Sequence, residues 1–225
     1  MGIDGRTKAM KGEFVLDGEM NFNGAPSLTA KLSGNGIEIY EFFRQSENFG
    51  QDFLVADNLE GQMDTRIYLE CFFDEQGNFL QDKLRVLAGV GLKNGVLKDF
   101  KMLEDFSTFV NIRDLQEIRF TNLQNFFEVR NEKLFLPVMF IQSNALNMTI
   151  SGEHSFEQDI AYYVKVNAGQ VMADRFRRHN PKLRPKPARR KGFFNLYYAI
   201  LGNLDDYNFV SDKRRVKNDF EESEV

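Results

Sequence analysis

The chain has 225 residues, of which 42% are hydrophobic and 13% aromatic, and its 29 basic and 33 acidic residues give a formal net charge of −4. A chain of this length can bury a sizeable core, and we expect one extended domain. It contains no run of eighteen apolar residues, which excludes a membrane-spanning helix within it. Residues 1–12 are polar and lack the apolar region of a signal peptide.

The choice of aromatic residues is uneven, with 23 Phe, 7 Tyr and no Trp. Phenylalanine needs no hydrogen-bond partner, so it suits a dry core and an acyl-chain surface equally well. Strand pattern begins almost at once after residue 12. We therefore favour a C-terminal piece of a longer protein over a complete cytosolic protein.

The N-terminal part reads as short strands and one helix. Turns are predicted at Asp17-Gly18, Asn23-Gly24 and Gly34-Asn35-Gly36. A short helix is predicted at 37–46. From 63 to 73 the chain alternates, with Met63, Thr65, Ile67, Leu69, Cys71 and Phe73 facing one way and charged or aromatic residues facing the other. This pattern predicts a sheet with one apolar and one wet face.

The middle of the chain continues this pattern. Residues 84–92 alternate as a strand, and Asn94-Gly95 predicts a hairpin turn. Leu97, Phe100, Leu103 and Phe106 recur at helical spacing, which predicts a second helix at about 98–110. Strands resume at Ile118. Residues 134–141 are apolar on both faces, so we expect this strand to be covered on both.

Residues 175–191 interrupt the strand pattern with nine positive charges, no acidic residue and three prolines. Proline removes ladder donors and like charges repel, which predicts an extended loop. Two interpretations stay open, a solvated connector between hairpins or contact with anionic lipid head groups. No nucleic-acid-binding motif accompanies the charge, so nucleic acid is not an expected partner. The head-group contact candidates are Arg177, Arg178, Arg189 and Arg190.

Catalytic and metal-binding residues are scarce. His154 and His179 are the only histidines and Cys71 the only cysteine, so no zinc site of the usual ligand types can form. The chain has no nucleophile elbow, Walker loop or dinucleotide fingerprint. We expect no enzymatic activity, no metal and no cofactor.

The ordered combination of these segments is more specific than any one of them. Gly91 to Phe100 gives a glycine-rich strand and turn, a Phe-rich helix follows, and hairpins run through Ser143-Asn144, Gly152, His154 and Tyr162. Upstream, Asn48-Phe49-Gly50-Gln51 follows the aromatic helix. This order resembles the C-terminal region of the AsmA-like family, in particular its Bacteroidetes-type members, over most of residues 12–212.

The resemblance implies a mainly β fold, in which repeating hairpins form a curved antiparallel sheet with an open, taco-like groove and two short helices. It also implies a bridge-like protein that carries phospholipid between the inner and outer membranes and supports outer-membrane biogenesis. The expected location is the periplasm, with an inner-membrane anchor in an N-terminal helix absent from this chain. Expected partners are phospholipid acyl chains and an anionic membrane surface or an outer-membrane protein.

We divide the chain into a curved sheet region at 1–174, the basic loop at 175–191, a closing hairpin at 192–212 and a charged, frayed tail at 213–225. The alternative is a structural or adhesive β-solenoid segment with a filled core and no lipid cargo, and alternation alone does not separate the two. The residues expected to line the groove are those on the better-patterned face of each strand, namely Ile67, Leu69, Val86, Val90, Leu136, Val138, Phe140, Leu146, Met148, Ile150, Tyr162 and Val164.

Overall fold

A computed structural model describes residues 1–108, 115–120, 123–167, 185 and 194–223. The described chain is mainly β, with 62% strand, and forms a twelve-stranded open antiparallel sheet. The strands are β1 (Gly2–Ala9), β2 (Gly12–Asn21), β3 (Ser27–Glu38), β4 (Leu59–Phe72), β5 (Arg85–Lys98), β6 (Glu117–Arg119), β7 (Leu123–Arg130), β8 (Lys133–Ile141), β9 (Met148–Ser155), β10 (Asp159–Asn167), β11 (Asn195–Asn203) and β12 (Asp206–Ser211). The predicted fold class, a curved antiparallel sheet with an open groove, is confirmed.

Two α-helices flank this sheet within the described residues, α1 (Ile39–Gln45) and α2 (Lys213–Ser223). Short 3-10 helices occupy Glu47–Gly50, Ala56–Asn58, Gln81–Lys83 and Lys101–Thr108. The helix predicted at 37–46 is therefore confirmed as α1. The helix predicted at about 98–110 begins later, because β5 continues to Lys98, and residues 101–108 form a 3-10 helix, while residues 109–110 lie outside the described residues.

The strands follow one another through the sheet in nearly sequential order. The order is β1-β2-β3-β4-β5-β7-β8-β9-β10-β11-β12, and the short β6 pairs with β5 beside this path. Because side chains alternate along each strand, the register keeps one apolar face continuous across the sheet. One row across it reads Leu16, Leu32, Ile67, Ala88 and Phe127.

Three predicted turns are wrong. Gly34-Asn35-Gly36 lies within β3 at a bulge, because Gly34 pairs with Thr65 while Ile37 pairs with Met63. Gly18 lies within β2, opposite Ala30, and no turn forms there. Asn94-Gly95 lies within β5 at a bulge, because Glu60 pairs with Val96 while Gln62 pairs with Lys93. Asn94 has the positive φ of 52° that a hairpin turn would also require. A bulge and a turn use the same left-handed residue, so local sequence did not separate them.

The prediction of a frayed tail at 213–225 is also wrong, because Lys213–Ser223 forms α2. Asp212 caps this helix, its carboxylate accepting the backbone N–H of Arg215 at 2.9 Å. Val216 is fully buried against the sheet. Asp219 accepts a hydrogen bond from the Ser151 hydroxyl on β9, and partial burial raises the pKa of this carboxyl above its ordinary value. Although most residues of α2 are charged, one side of this helix therefore packs against the sheet.

Two groups of buried side chains pack on the apolar face. The smaller joins Phe14, Ile37 and Met63. The larger covers the β9, β10 and β11 part of the sheet and combines strand residues with residues from the connection after β5. Its members are Met102, Leu103, Leu115, Ile118, Ala145, Leu146, Met148, Ile160, Val164, Val166, Tyr198 and Ile200.

Candidate functional site

The apolar face of the sheet has a filled part and an open part. In the filled part, Met102 and Leu103 from the 3-10 helix pack over β9, β10 and β11, together with Leu115 and Ile118. In the open part, on β2 to β5, six apolar side chains are only half-buried and belong to neither buried cluster, although Ala30 between them is buried. We call these residues the trough: Leu16, Leu28, Ile67, Leu69, Val86 and Ala88.

The register places the trough residues side by side. Leu69 pairs with Val86 and Ile67 pairs with Ala88 across β4 and β5, and Leu28 lies opposite Cys71 on the β3 side. With neighbouring strands about 4.8 Å apart, the four strands from β2 to β5 make the trough about 14 Å wide. Its chemistry is apolar, and the thiol of Cys71 at its margin has its pKa raised by burial.

The predicted groove residues fall into both parts of the face. Ile67, Leu69 and Val86 lie in the trough, and Leu136 is half-buried on β8. Val90 packs against the smaller cluster. Five more lie in or against the larger cluster, and these are Leu146, Met148, Ile150, Tyr162 and Val164. The structure therefore assigns six of the twelve predicted residues, Val90 included, to the two buried clusters.

Phe140 was assigned to the wrong face. Leu136 pairs with Gly152 on β9, whereas Met139 pairs with Ile150, so β8 carries one extra residue between them. This bulge inverts the alternation that follows. Phe140 then pairs with Thr149 and lies on the opposite face from Met148 and Ile150.

The same bulge contains Val138, and it brings Met139 and Ile141 onto the apolar face, where they were not predicted. Pro137 is the signal that could have found it, since proline within a strand is confined to edges and bulges. The expectation that residues 134–141 are covered on both faces is met only in part, because residues on both faces of β8 are partly buried and none is fully buried.

A polar pair lies on the apolar face beside the larger cluster. His154 on β9 and Tyr162 on β10 place Nδ1 and Oη 3.1 Å apart. Burial lowers the pKa of His154 and raises that of Tyr162 to about 12, so both groups are neutral near pH 7. The ring of Phe53 meets His154 edge-on at 6.1 Å between centroids. These residues sit among apolar neighbours, which makes them a candidate for recognising a polar group.

A separate depression of about 440 Å³ lies along β4 and β5. Gly89 and Gly91 leave its floor without side chains, and the ion pair of Asp64 and Lys93, 2.6 Å between carboxylate oxygen and Nζ, lies at its side. The hydrogen bond from Lys93 and a second from the Gly36 N–H lower the pKa of Asp64. These groups satisfy each other, so the depression does not present a reactive residue.

None of the helices in the described residues is long and apolar enough to cross a membrane. The part of the chain that the structure describes holds no cluster of three or more metal-ligating side chains. The four head-group candidates, Arg177, Arg178, Arg189 and Arg190, lie outside the described residues, as does the rest of the basic loop apart from Pro185.

Comparison of the chain with family models, curated proteins and solved structures finds no match. The resemblance to the AsmA-like family therefore stays a prediction. Within the described residues, the fold is an open antiparallel sheet with one apolar face, part of which forms the partly buried trough.

Proposed function

We propose that this chain is the C-terminal region of an AsmA-like protein of the cell envelope, and that its trough holds phospholipid acyl chains during transfer between the inner and outer membranes. The observation that carries the proposal is that Ile67, Leu69 and Val86, in the middle of a wide sheet, are only partly buried and belong to neither buried cluster. A contiguous apolar surface of this kind is typical of an interaction site and not of a solvated one.

The energetics favour an acyl chain as the occupant. Each methylene that leaves water for an apolar surface contributes about 0.8 kcal/mol. The trough is one-sided, so a lipid can keep its tails against Leu69 and Val86 while its head group stays hydrated. Strands add along one axis in sequential order, so the trough residues of β4 and β5 lie in rows that continue onto the neighbouring strands.

The alternative is a structural or adhesive β-solenoid segment with a filled core. The large cluster under β9, β10 and β11 favours this reading for that part of the sheet. It does not account for the trough, where the same alternation leaves apolar side chains half-exposed. The lipid-transfer proposal therefore places an acyl chain against Leu69, whereas the β-solenoid alternative places none there.

The rest of the proposal follows from the resemblance. The protein would act in the periplasm, held to the inner membrane by an N-terminal helix outside this chain, and would have no enzymatic activity. The basic loop would meet an anionic membrane surface or an outer-membrane protein. Nine positive charges without an acidic residue suit such a contact.

Native mass spectrometry of the chain purified from a bacterial host tests the proposal. We expect phospholipid masses to accompany the parent protein. Leu69→Asp should remove them, because a carboxylate in the trough would have to be desolvated by the acyl chain. Leu87→Asp is the matched control, since Leu87 is 49% exposed on the neighbouring strand and faces the other way. A lipid-free parent, or equal lipid on both variants, would refute the assignment.

A further inference from the structure

The His154 and Tyr162 pair lies on the same face of the sheet as the trough, and one row of side chains runs from His154 through Leu134 and Val129 to Val86. On β8, the residue opposite His154 is Leu134, and the residue opposite Gly152 is Leu136. Tyr162 pairs with Gly152 across β9 and β10. Gly152 leaves room for the tyrosine ring, whose Cδ1 would be only 2.8 Å from a Cβ at this position.

The hydrogen-bonding needs of the tyrosine fix the proton on the histidine. A buried tyrosine hydroxyl needs an acceptor. In the described part of the chain, the partner of this hydroxyl is His154 Nδ1, at 3.1 Å. If the hydroxyl donates to Nδ1, the neutral imidazole carries its hydrogen on Nε2. His154 is only half-buried, so this second nitrogen sits on a partly open side chain.

The Nε2–H group is then a donor for which the described residues offer no recorded acceptor. Its surroundings are apolar on both sides. Phe53 lies edge-on to the imidazole, and Phe100 lies edge-on to Phe53 at 4.8 Å between centroids. Leu134 lies on the side of the trough. A ligand with an acceptor oxygen next to an apolar chain would satisfy this donor and keep its chain against these apolar neighbours.

We propose that His154 donates its Nε2–H to the ester carbonyl oxygen of an acyl lipid whose chain lies in the trough, and that Tyr162 holds the imidazole in the donor tautomer. The inference rests on the proposed function. It goes further by assigning the chemical class of the cargo, an acyl ester in preference to an ether or a bare hydrocarbon. His154 is thus a specificity residue and Tyr162 its positioning residue.

Competition against a fluorescent acyl probe tests the preference. The two competitors are methyl palmitate and hexadecyl methyl ether, which share a chain of sixteen carbons and differ by the carbonyl. We expect the parent to bind the ester about two- to tenfold more tightly, the effect of one neutral hydrogen bond. His154→Phe should bind both equally. Tyr162→Phe should lose part of the preference, while His179→Gln, which alters the other histidine, should keep it.

The outcomes separate this inference from the proposed function. A parent that binds both competitors equally, or a His154→Phe variant that keeps the preference, overturns the ester assignment and leaves the trough intact. A parent that binds neither overturns the proposed function. If a variant does not fold, nitrogen-15 NMR of the His154 imidazole tests the same inference in the unaltered protein. The Nε2–H resonance should shift on saturation with methyl palmitate but not with the ether, and an unchanged resonance contradicts the proposal.

Discussion

Met148→Asp is expected to lower the free energy of unfolding by about 4 kcal/mol or more, because it places a carboxylate in a filled core. Met148 is 7% exposed within the larger cluster. It pairs with Ile141 on one side and Val166 on the other, so both side chains that flank it on this face are apolar. Urea unfolding followed by circular dichroism measures the loss.

Met20→Asp is the matched control, since it makes the same change on the same face of the sheet. Met20 is half-exposed on β2 and belongs to neither buried cluster. We expect it to cost less than about 1 kcal/mol, because water can solvate the new charge. Equal losses for the two variants would contradict the division of the face into filled and open parts.

Gly152→Ala is expected to cost about 3 kcal/mol or more. Gly152 has a φ of 152°, and a Cβ there would lie 2.2 Å from the carbonyl oxygen of Ala161 and 2.8 Å from the Cα of Tyr162. The methyl group can be accommodated only if β9 and β10 separate, which would also displace Tyr162 from His154. Thermal and urea unfolding measure the stability, and the imidazole NMR spectrum reports the displaced contact.

Gly5→Ala provides the comparison for a strand glycine in open space. Gly5 lies on β1, and a Cβ at this position meets nothing within 4 Å. We expect a change within about 0.5 kcal/mol, as for most surface substitutions. If Gly152→Ala were equally mild, the close approach of β9 and β10 at this point would be wrong.

Alternation along single strands was predictable from sequence. Met63 and Thr65 face inward and Arg66 faces outward on β4, as the period of two requires. The bulges were not predictable from sequence. Asn94, for example, adopts a left-handed conformation that suits a hairpin turn as well as a bulge. At β8 the extra residue moved Phe140 to the other face, although local hydrophobicity did not change.

The distinction between trough and core depends on contacts between distant parts of the chain. Leu69 and Met148 show the same strand pattern, yet residues such as Met102 and Leu115 cover only the part of the face that contains Met148. Similarly, the sequence places Val216 in a charged tail. Its burial depends on the docking of α2 onto the strands, which the local sequence does not show. Single-strand periodicity carries no information on what packs above a face.

Photo-crosslinking from two adjacent positions tests most directly whether the trough holds lipid. Ile67 is half-buried on the apolar face of β4, and Tyr68, the next residue, is 38% exposed on the other face. A photoreactive phenylalanine derivative would replace each in turn, and the protein would be irradiated in bacterial cells. We predict a phospholipid adduct at position 67 and none at position 68. Equal adducts at both positions, or none at position 67, would contradict an acyl-chain trough.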